Sequence, residues 1–500
     1  LSVEAKHKAH AEAAPAWLKV RDFVAGGERV KKYIKTLPGH DVDTVTAFKD
    51  RTYYLPAIAR SVDAFVGLIM NPEPVVQAPE ALTEYLDDVS FDGEPAKRMI
   101  GRTVREVTEI GRCAVIVDYP QAPNAQELSV AEAEAAGLRA YARFYRGEDV
   151  LDWRVTQRGG ERVLSFLKLR ETIDQVSATD EWVITEVEQI RVLDLVEGKY
   201  RQRLYQKGEV DVREGGGTVR KETLIKVGED IFPQANGAAL NEIPAVVFGP
   251  DSLDVTEVAS PPVLEMVEVS SAWLNNSALM EWTLMWVSNP TPVFINLMLP
   301  EGESVKLGSS QGISLNEGGD AKFLALGADG VGALRQAMED KRRDMAAVGA
   351  RLLSDETTAQ ISRDTAIIQR AGEHSVLANI ATTVAAGWVR VLGYLAIWAK
   401  AEGDISVTLN TDFVPQGMTS GELSEMIAAV QAGQLSSRDL FALLQKRGVI
   451  RPDKSYDEHQ DELDEDGQRM LDAPPGAPGA ANDQQQQDPA NPDQTQDEAA

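Results

Sequence analysis

Residues 263–294 read VLEMVEVSSAWLNNSALMEWTLMWVSNPTPVF, an apolar run with no glycine or proline before Pro290 and with Trp273, Trp282 and Trp286 along it. The pattern predicts one long helix from Val263 to about Val287. Asn289-Pro290-Thr291-Pro292 ends it, because each proline removes an amide donor and restricts the residue before it. Beyond lie short strand-like pieces separated by glycines: Val293-Phe294-Ile295, Ser304-Val305-Lys306-Leu307 and Lys322-Phe323-Leu324-Ala325-Leu326. A second long helix follows over about 330–353 (GVGALRQAMEDKRRDMAAVGARLL), and a third over about 363–401. On the second, Val331, Leu334, Met338, Met345, Val348 and Leu352 fall at 3-4-7-3-4 spacing, a heptad seam in which Lys341 stands where the stripe should continue. Such a seam packs either within the chain or against a neighbouring copy, and spacing leaves both open. The joint Ser354–Asp364 is rich in hydroxyls and amides; read by itself it is an exposed helix–helix loop, capped by Ser362 or Asp364.

N-terminal to this region, residues 1–36 read as helix, with Trp17, Val20, Phe23 and Val24 at helical spacing, broken by Leu37-Pro38-Gly39-His40. A helix from about Thr44 to Met70, kinked at Pro56, ends at Asn71-Pro72-Glu73-Pro74, and another spans Ala96 to Ile110. The run Cys113–Tyr119, bounded by Gly111 and Pro120, predicts a buried strand. An Ala/Glu-rich helix is expected over roughly 129–140. Strand signals then recur about every ten residues from Phe144 to Tyr205, as in an antiparallel sheet, with a hairpin turn at Gly215-Gly216-Gly217 and Ile243–Phe248 closing the sheet region. After the third long helix come a strand at Ile405–Leu409 and a helical pair, Glu422–Ala432 and Ser437–Arg447. The class is α+β.

The chain of 500 residues carries 78 acidic against 50 basic side chains, a net charge of −28. From Asp457 to Ala500 there are 13 acidic residues and one basic residue, net −12, which leaves −16 on the remaining 456. That tail has a glutamine run at 484–487 and little to bury, so disorder is expected there. The acidic balance excludes broad binding to DNA phosphates and disfavours anionic membranes. No membrane span is expected: Arg390 and Asn379 interrupt the best candidate, Ser375–Ala399, which reads as a buried helix. A lone cysteine, Cys113, and five scattered histidines exclude a disulfide framework and any visible metal site.

Catalytic patterns are missing as well. No glycine-rich loop ends in Lys-Ser/Thr, no dinucleotide fingerprint follows a strand, and neither His-Glu-x-x-His nor Gly-x-Ser-x-Gly occurs. Cys113 sits in an apolar strand and reads as a packing thiol; His374, beside Glu373, reads as a structural hydrogen-bonding group. No enzyme, cofactor or metal is expected.

One resemblance emerges from the order of motifs. Gly111-Arg112-Cys113-Ala114-Val115-Ile116-Val117-Asp118-Tyr119-Pro120 is similar to a Gly-Arg-x-x-x-Leu-Val-Asp-Tyr-Pro strand found in portal proteins of tailed bacteriophages, in a portal-like family long known only as a domain of unknown function. Also similar are Gly67–Pro72, Trp153 after an acidic turn, Asn289–Val293, Leu307-Gly308-Ser309, Met345–Leu353 and Leu440–Ile450, together spanning roughly 45–455. Cys113 and Ile116 are mild apolar departures.

The resemblance implies a ring at one capsid vertex, usually of about twelve copies, with a central channel for double-stranded DNA. It implies a portal fold: a wing of helices then antiparallel sheet (1–255), a first stem helix (256–288), a small α/β clip (289–329), a second stem helix (330–353), a tunnel loop (354–363), a long wing helix with a return strand (364–418), a helical crown (419–455) and the acidic tail (456–500). Tunnel-loop candidates for light DNA contact are Thr357, Thr358, Gln360, Ser362 and Arg363. The stem cluster Lys341, Arg342 and Arg343 faces the channel, the capsid hole or a neighbour's acids. In the clip, Phe294, Lys306, Lys322 and Phe323 are candidates for docking the terminase large subunit and later the head-completion (adaptor) proteins. The major capsid protein is a further implied partner, and the implied location is the virion, with assembly in the host cytoplasm. The alternatives are another virion structural or adaptor protein and, further off, a soluble acidic enzyme.

Overall fold

The computed structural model describes residues 3–36, 38–120, 138–176, 182, 184–214, 217–289, 291–297, 305, 315–324, 329–353, 376–411 and 413, and beyond these only 436, 438–439, 441, 445, 455–456 and 458. It is α+β. In chain order the elements are α1 (Lys8–Ala25), α2 (Val42–Arg51), α3 (Ala57–Ile69), β1 (Val75–Gln77), α4 (Thr83–Asp87), α5 (Ala96–Ile110), β2 (Cys113–Asp118), β3 (Tyr141–Arg146), β4 (Val150–Arg158), β5 (Glu161–Val176), β6 (Ile184–Val196), β7 (Lys199–Glu214), β8 (Gly217–Ile231), β9 (Gln234–Ala235), β10 (Ala238–Ala239) and β11 (Ala245–Phe248). There follow α6 (Leu264–Ser288), β12 (Thr291–Ile295), β13 (Asp320–Leu324), α7 (Asp329–Leu353), α8 (Val376–Ala399) and β14 (Ser406–Thr408). Residues 1–413 form one compact unit and 414–500 a second, of which the described residues are helical apart from Ser436 and Ser455 and include a Phe441–Tyr456 ring contact at 5.4 Å.

The motif at 111–120 occupies the middle of the first unit. Gly111 takes φ +76 to end α5, a left-handed conformation that a Cβ disfavours, and an added Cβ would lie 3.2 Å from the Ser260 carbonyl oxygen. Every residue of β2 is buried. Its side chains alternate: Cys113, Val115 and Val117 join the core formed with the helices, whereas Ala114 and Ile116 join the core shared with β4–β7. Burial on both faces is why the strand reads as a continuous apolar run rather than an alternating one. β2 is the centre of a three-stranded antiparallel sheet ordered β11-β2-β3. On one side lie α1, α3, α5, α6 and α8, contributing Trp17, Phe23, Ile58, Val62, Ile100, Leu274 and Trp388. On the other lies an antiparallel meander ordered β4-β5-β6-β7-β8.

Several expectations are corrected here. Residues 1–36 are not one helix: α1 stops at Gly26 and Gly27, which take φ +65 and +59, and Gly27–Tyr33 is a 3-10 segment. The expected 44–70 helix is two, α2 and α3, separated at 52–56 around Pro56. The segment 243–248 does not close the large sheet; β11 pairs with β2. β14 pairs with β1, more than 300 residues earlier in the chain, Val76 opposite Val407. The helix expected near 129–140 falls largely on 121–137, outside the described residues, as do His374 and most of the helical pair at 422–447. α8 is long and apolar enough to cross a membrane by length and composition, and half of its most apolar window is buried in the protein.

A buried ionic network joins the two sheets. Arg191 of β6 pairs with Asp118 of β2 (2.5 Å) and Glu171 of β5 (2.8 Å). Gln202 donates to Asp118 (2.9 Å), Gln189 donates to Glu171 (2.5 Å), and the Tyr145 hydroxyl also donates to Glu171. Coulombic attraction strengthens in such a setting, and the added hydrogen bonds saturate the carboxylates, the condition for tolerating a buried ion pair.

Candidate assembly surface: the α6–α7 hairpin and its ribbon

α6 and α7 pack against each other as an antiparallel pair joined through β12 and β13. Strand β12 starts three residues after α6 ends, and β13 ends five residues before α7 begins. The register sets Val293 opposite Lys322 and Ile295 opposite Asp320, so these share one face with Leu324, while Phe294 and Phe323 lie on the other. Phe294 is half-buried and Phe323 is 64% exposed. Lys322 is exposed and reaches Asp320 at 3.6 Å. Lys306 lies outside the described residues, as does nearly all of the piece expected at 304–307.

On α7, Val331, Leu334 and Met338 are half-buried and Met345 and Val348 are buried. Lys341 is half-buried on the same stripe. Leu352 belongs to the helix, but its side chain lies outside the description. The C-terminal half of this stripe is packed inside the chain: Val348 belongs to the main core, and the neighbouring Gly349 abuts Met266 and Phe65. Arg342 and Arg343 are exposed and, among the described residues, pair only with Glu339, at 3.5 and 3.8 Å. Thr357, Thr358, Gln360, Ser362 and Arg363 lie outside the described residues.

The helix pair is covered unevenly. Near its start α6 is buried through Met266, Val267, Ser270, Trp273 and Leu274. Towards its end Trp282 meets Phe48 of α2 edge-on at 5.5 Å, but Leu284 and Trp286 are 38% and 42% exposed. The ribbon continues this exposure with Val293, Ile295, Phe323 and Leu324. A two-stranded ribbon with apolar side chains on both faces is marginal in water unless something covers it.

Elsewhere, Cys113 is wholly buried and burial pushes its thiol well above the ordinary range, which makes it inert. Among the described residues, no group of three or more His, Cys, Asp or Glu is arranged to hold a metal ion. One position to which sequence reasoning gave no role is Arg112, buried and lying over the Trp153 ring. Its sequence signal was its place in the Gly-Arg motif that opens the apolar strand.

A family described as a domain of unknown function (DUF4055) matches residues 262–399, which hold the α6–α7 pair, its ribbon and α8. No curated protein matches the chain. Similar solved structures include the virion of a native gene transfer agent particle, 13% identical over 85% of this chain and 98% of that one, with a TM-score of 0.38. The neck of an empty gene transfer agent particle, computed with C6 symmetry, gives the same values. The neck of the native particle, computed with C12 symmetry, is 13% identical over 82% of this chain and 95% of that one, at a TM-score of 0.37. Likenesses this distant carry no functional inference.

Proposed function

We propose that this chain is a virion structural protein of the phage portal type: a subunit of a ring at one capsid vertex, through which DNA is packaged and ejected, and not an enzyme. In this reading α6 and α7 are the stem, the β12–β13 ribbon belongs to the clip on which terminase and adaptor proteins dock, and α8 is the long helix beneath the wing. The observation that carries the reading is the helix–ribbon–helix arrangement, with Leu284, Trp286, Val293, Ile295, Phe323 and Leu324 left exposed at one end of it. An acidic chain that keeps apolar side chains uncovered at a helix-pair end is built to bury them against other chains. The net charge of −28 supports the same reading, since an acidic conduit does not grip DNA broadly and leaves room only for local, weak contacts.

Mass photometry of the purified chain tests it. Twelve copies of 54.5 kDa give a particle of about 650 kDa, and negative-stain images should show rings. A chain that stays monomeric or dimeric under assembly conditions, with capsid protein present, overturns the reading.

A further inference from the structure

Arg112 is 1% exposed, yet among the described residues no carboxylate lies within ion-pair distance of it, and its Nε has no hydrogen-bond partner. An uncompensated buried cation is costly, and pairing or removal usually relieves it. Here the guanidinium is spent on backbone. Nη1 donates to the carbonyl of Glu257 (2.7 Å) and Nη2 to that of Val255 (2.9 Å), and the group lies 4.1 Å over the Trp153 ring. Both carbonyls belong to the segment that leads into α6.

That lead-in is held from its outer side too. Arg162 of β5 donates to Asp254 (2.8 Å) and to the Thr256 hydroxyl (3.1 Å), while Asp254 accepts from the Thr256 amide (2.9 Å). Beside it opens a cavity of about 520 Å³ lined by Arg162, Asp254, Val255, Arg390 and Tyr394, which gives the segment room to move. The His7 imidazole stacks on Trp153 at 4.1 Å and 23°. Two groups centred that close to one ring occupy opposite faces. His7 belongs to an N-terminal strap: its amide donates to the Leu151 carbonyl (2.9 Å), Lys168 donates to the Ala5 carbonyl, and Val3 packs beside Leu151, Ile190 and Val192.

We propose that Arg112 is the pin of a conformational latch: with residues 3–7 seated and His7 backing Trp153, Arg112 holds the 254–257 lead-in and so fixes the setting of α6 and α7, and withdrawal of the strap frees it. Arg112 is a positioning residue and touches no ligand. The inference concerns the single chain and holds whether or not copies form a ring.

Hydrogen exchange by mass spectrometry on the full chain tests it, with Arg112→Lys, which keeps the charge but loses the two-pronged fork on the carbonyls, and His7→Ala, which removes the backing ring. Both variants should speed exchange of amides in 255–267 about tenfold or more while those of β6 and α5 stay at the parent rate. Unchanged exchange at 255–267 in either variant, or an equal rise across the chain, overturns the latch. Should Arg112→Lys fail to fold, His7→Ala decides alone.

Discussion

His10 and Glu106 are buried on different elements, α1 and α5, yet both hold the turn at residues 147–150, and they titrate in opposite senses. His10 Nδ1 donates to the Val150 carbonyl (3.0 Å), and burial, helped by the Lys6 charge, lowers its pKa from 6.5 to about 4. Glu106 accepts from the Gly147 amide (3.2 Å) and pairs with Arg21, but burial outweighs that partner and raises its pKa from 4.5 to about 7. Between about 4 and 6.5 the unfolded chain holds a proton on His10 that the folded chain lacks, so His10 costs stability as pH falls through that window. Between about 4.5 and 7 the folded chain holds a proton on Glu106 that the unfolded chain has lost, so its contribution is present at low pH and lost as pH rises. The windows overlap and the two contributions largely cancel. Glu106→Gln keeps an acceptor for Gly147 and Arg21 but removes one side of the balance. The variant should lose more stability than the parent between pH 6.5 and 4.5, read as a larger drop in the urea midpoint. Parallel pH curves for the two proteins would count against this account.

At the scale of elements, the packing of α8 on β11 depends on one missing side chain. A Cβ on Gly387 would fall well inside contact distance of the Phe248 ring, and Phe248 is itself wholly buried. Gly387→Ala should therefore destabilise the protein by about 1–3 kcal/mol through overpacking, and adding Phe248→Leu should restore part of the loss of melting temperature. A double variant no more stable than Gly387→Ala would place the strain elsewhere. On α7, the exposed Arg342 and Arg343 are loosely engaged by one half-exposed acid, Glu339, and surface pairs of that kind contribute little. They remain available to phosphate or to another copy's carboxylates. Changing Lys341, Arg342 and Arg343 together to Gln should impair DNA retention or ring assembly; both unchanged would mark the cluster as a solvated face. These elements also show what sequence conveys. β2, α5 and α6 were legible because each carries its own end signals and one continuous apolar pattern, and the interrupted stripe on α7 was visible in spacing alone. The pairing of β11 with β2 and of β1 with β14 was not, since no local pattern encodes a partner over a hundred residues away. The meander strands β5 and β7 run 16 residues each, longer than a ten-residue recurrence of strand signals implies; in β6 the first residues, Ile184–Glu186, are exposed on both faces and carry no alternation. The exposed ribbon residues looked like ordinary strand; only the structure reveals that nothing within the described chain covers them, and the tunnel-loop candidates lie beyond what it describes.

For the whole molecule, charge would oppose the proposed ring assembly. Each copy carries −28, of which −12 lies in residues 457–500 and −16 in the rest. Bringing such copies side by side costs Coulombic repulsion, whereas burying the exposed apolar ends of α6 and the ribbon favours contact. Repulsion between exposed charges is screened over about 10 Å at 0.1 M salt, and burial of apolar surface is not weakened by that screening. Ring formation should therefore rise with sodium chloride from about 20 mM to about 300 mM, where the screening length shortens severalfold. That is the opposite of the salt dependence of a protein held to DNA by phosphate contacts. A chain truncated after Tyr456 removes nearly half of the charge without touching the helix pair, so it should reach the same particle mass at lower salt. Mass photometry across a salt series separates the outcomes. Rings that dissolve as salt rises would mean that ion pairs between copies dominate the contact. Loss of rings on truncation would give residues 457–500 a direct part in holding copies together.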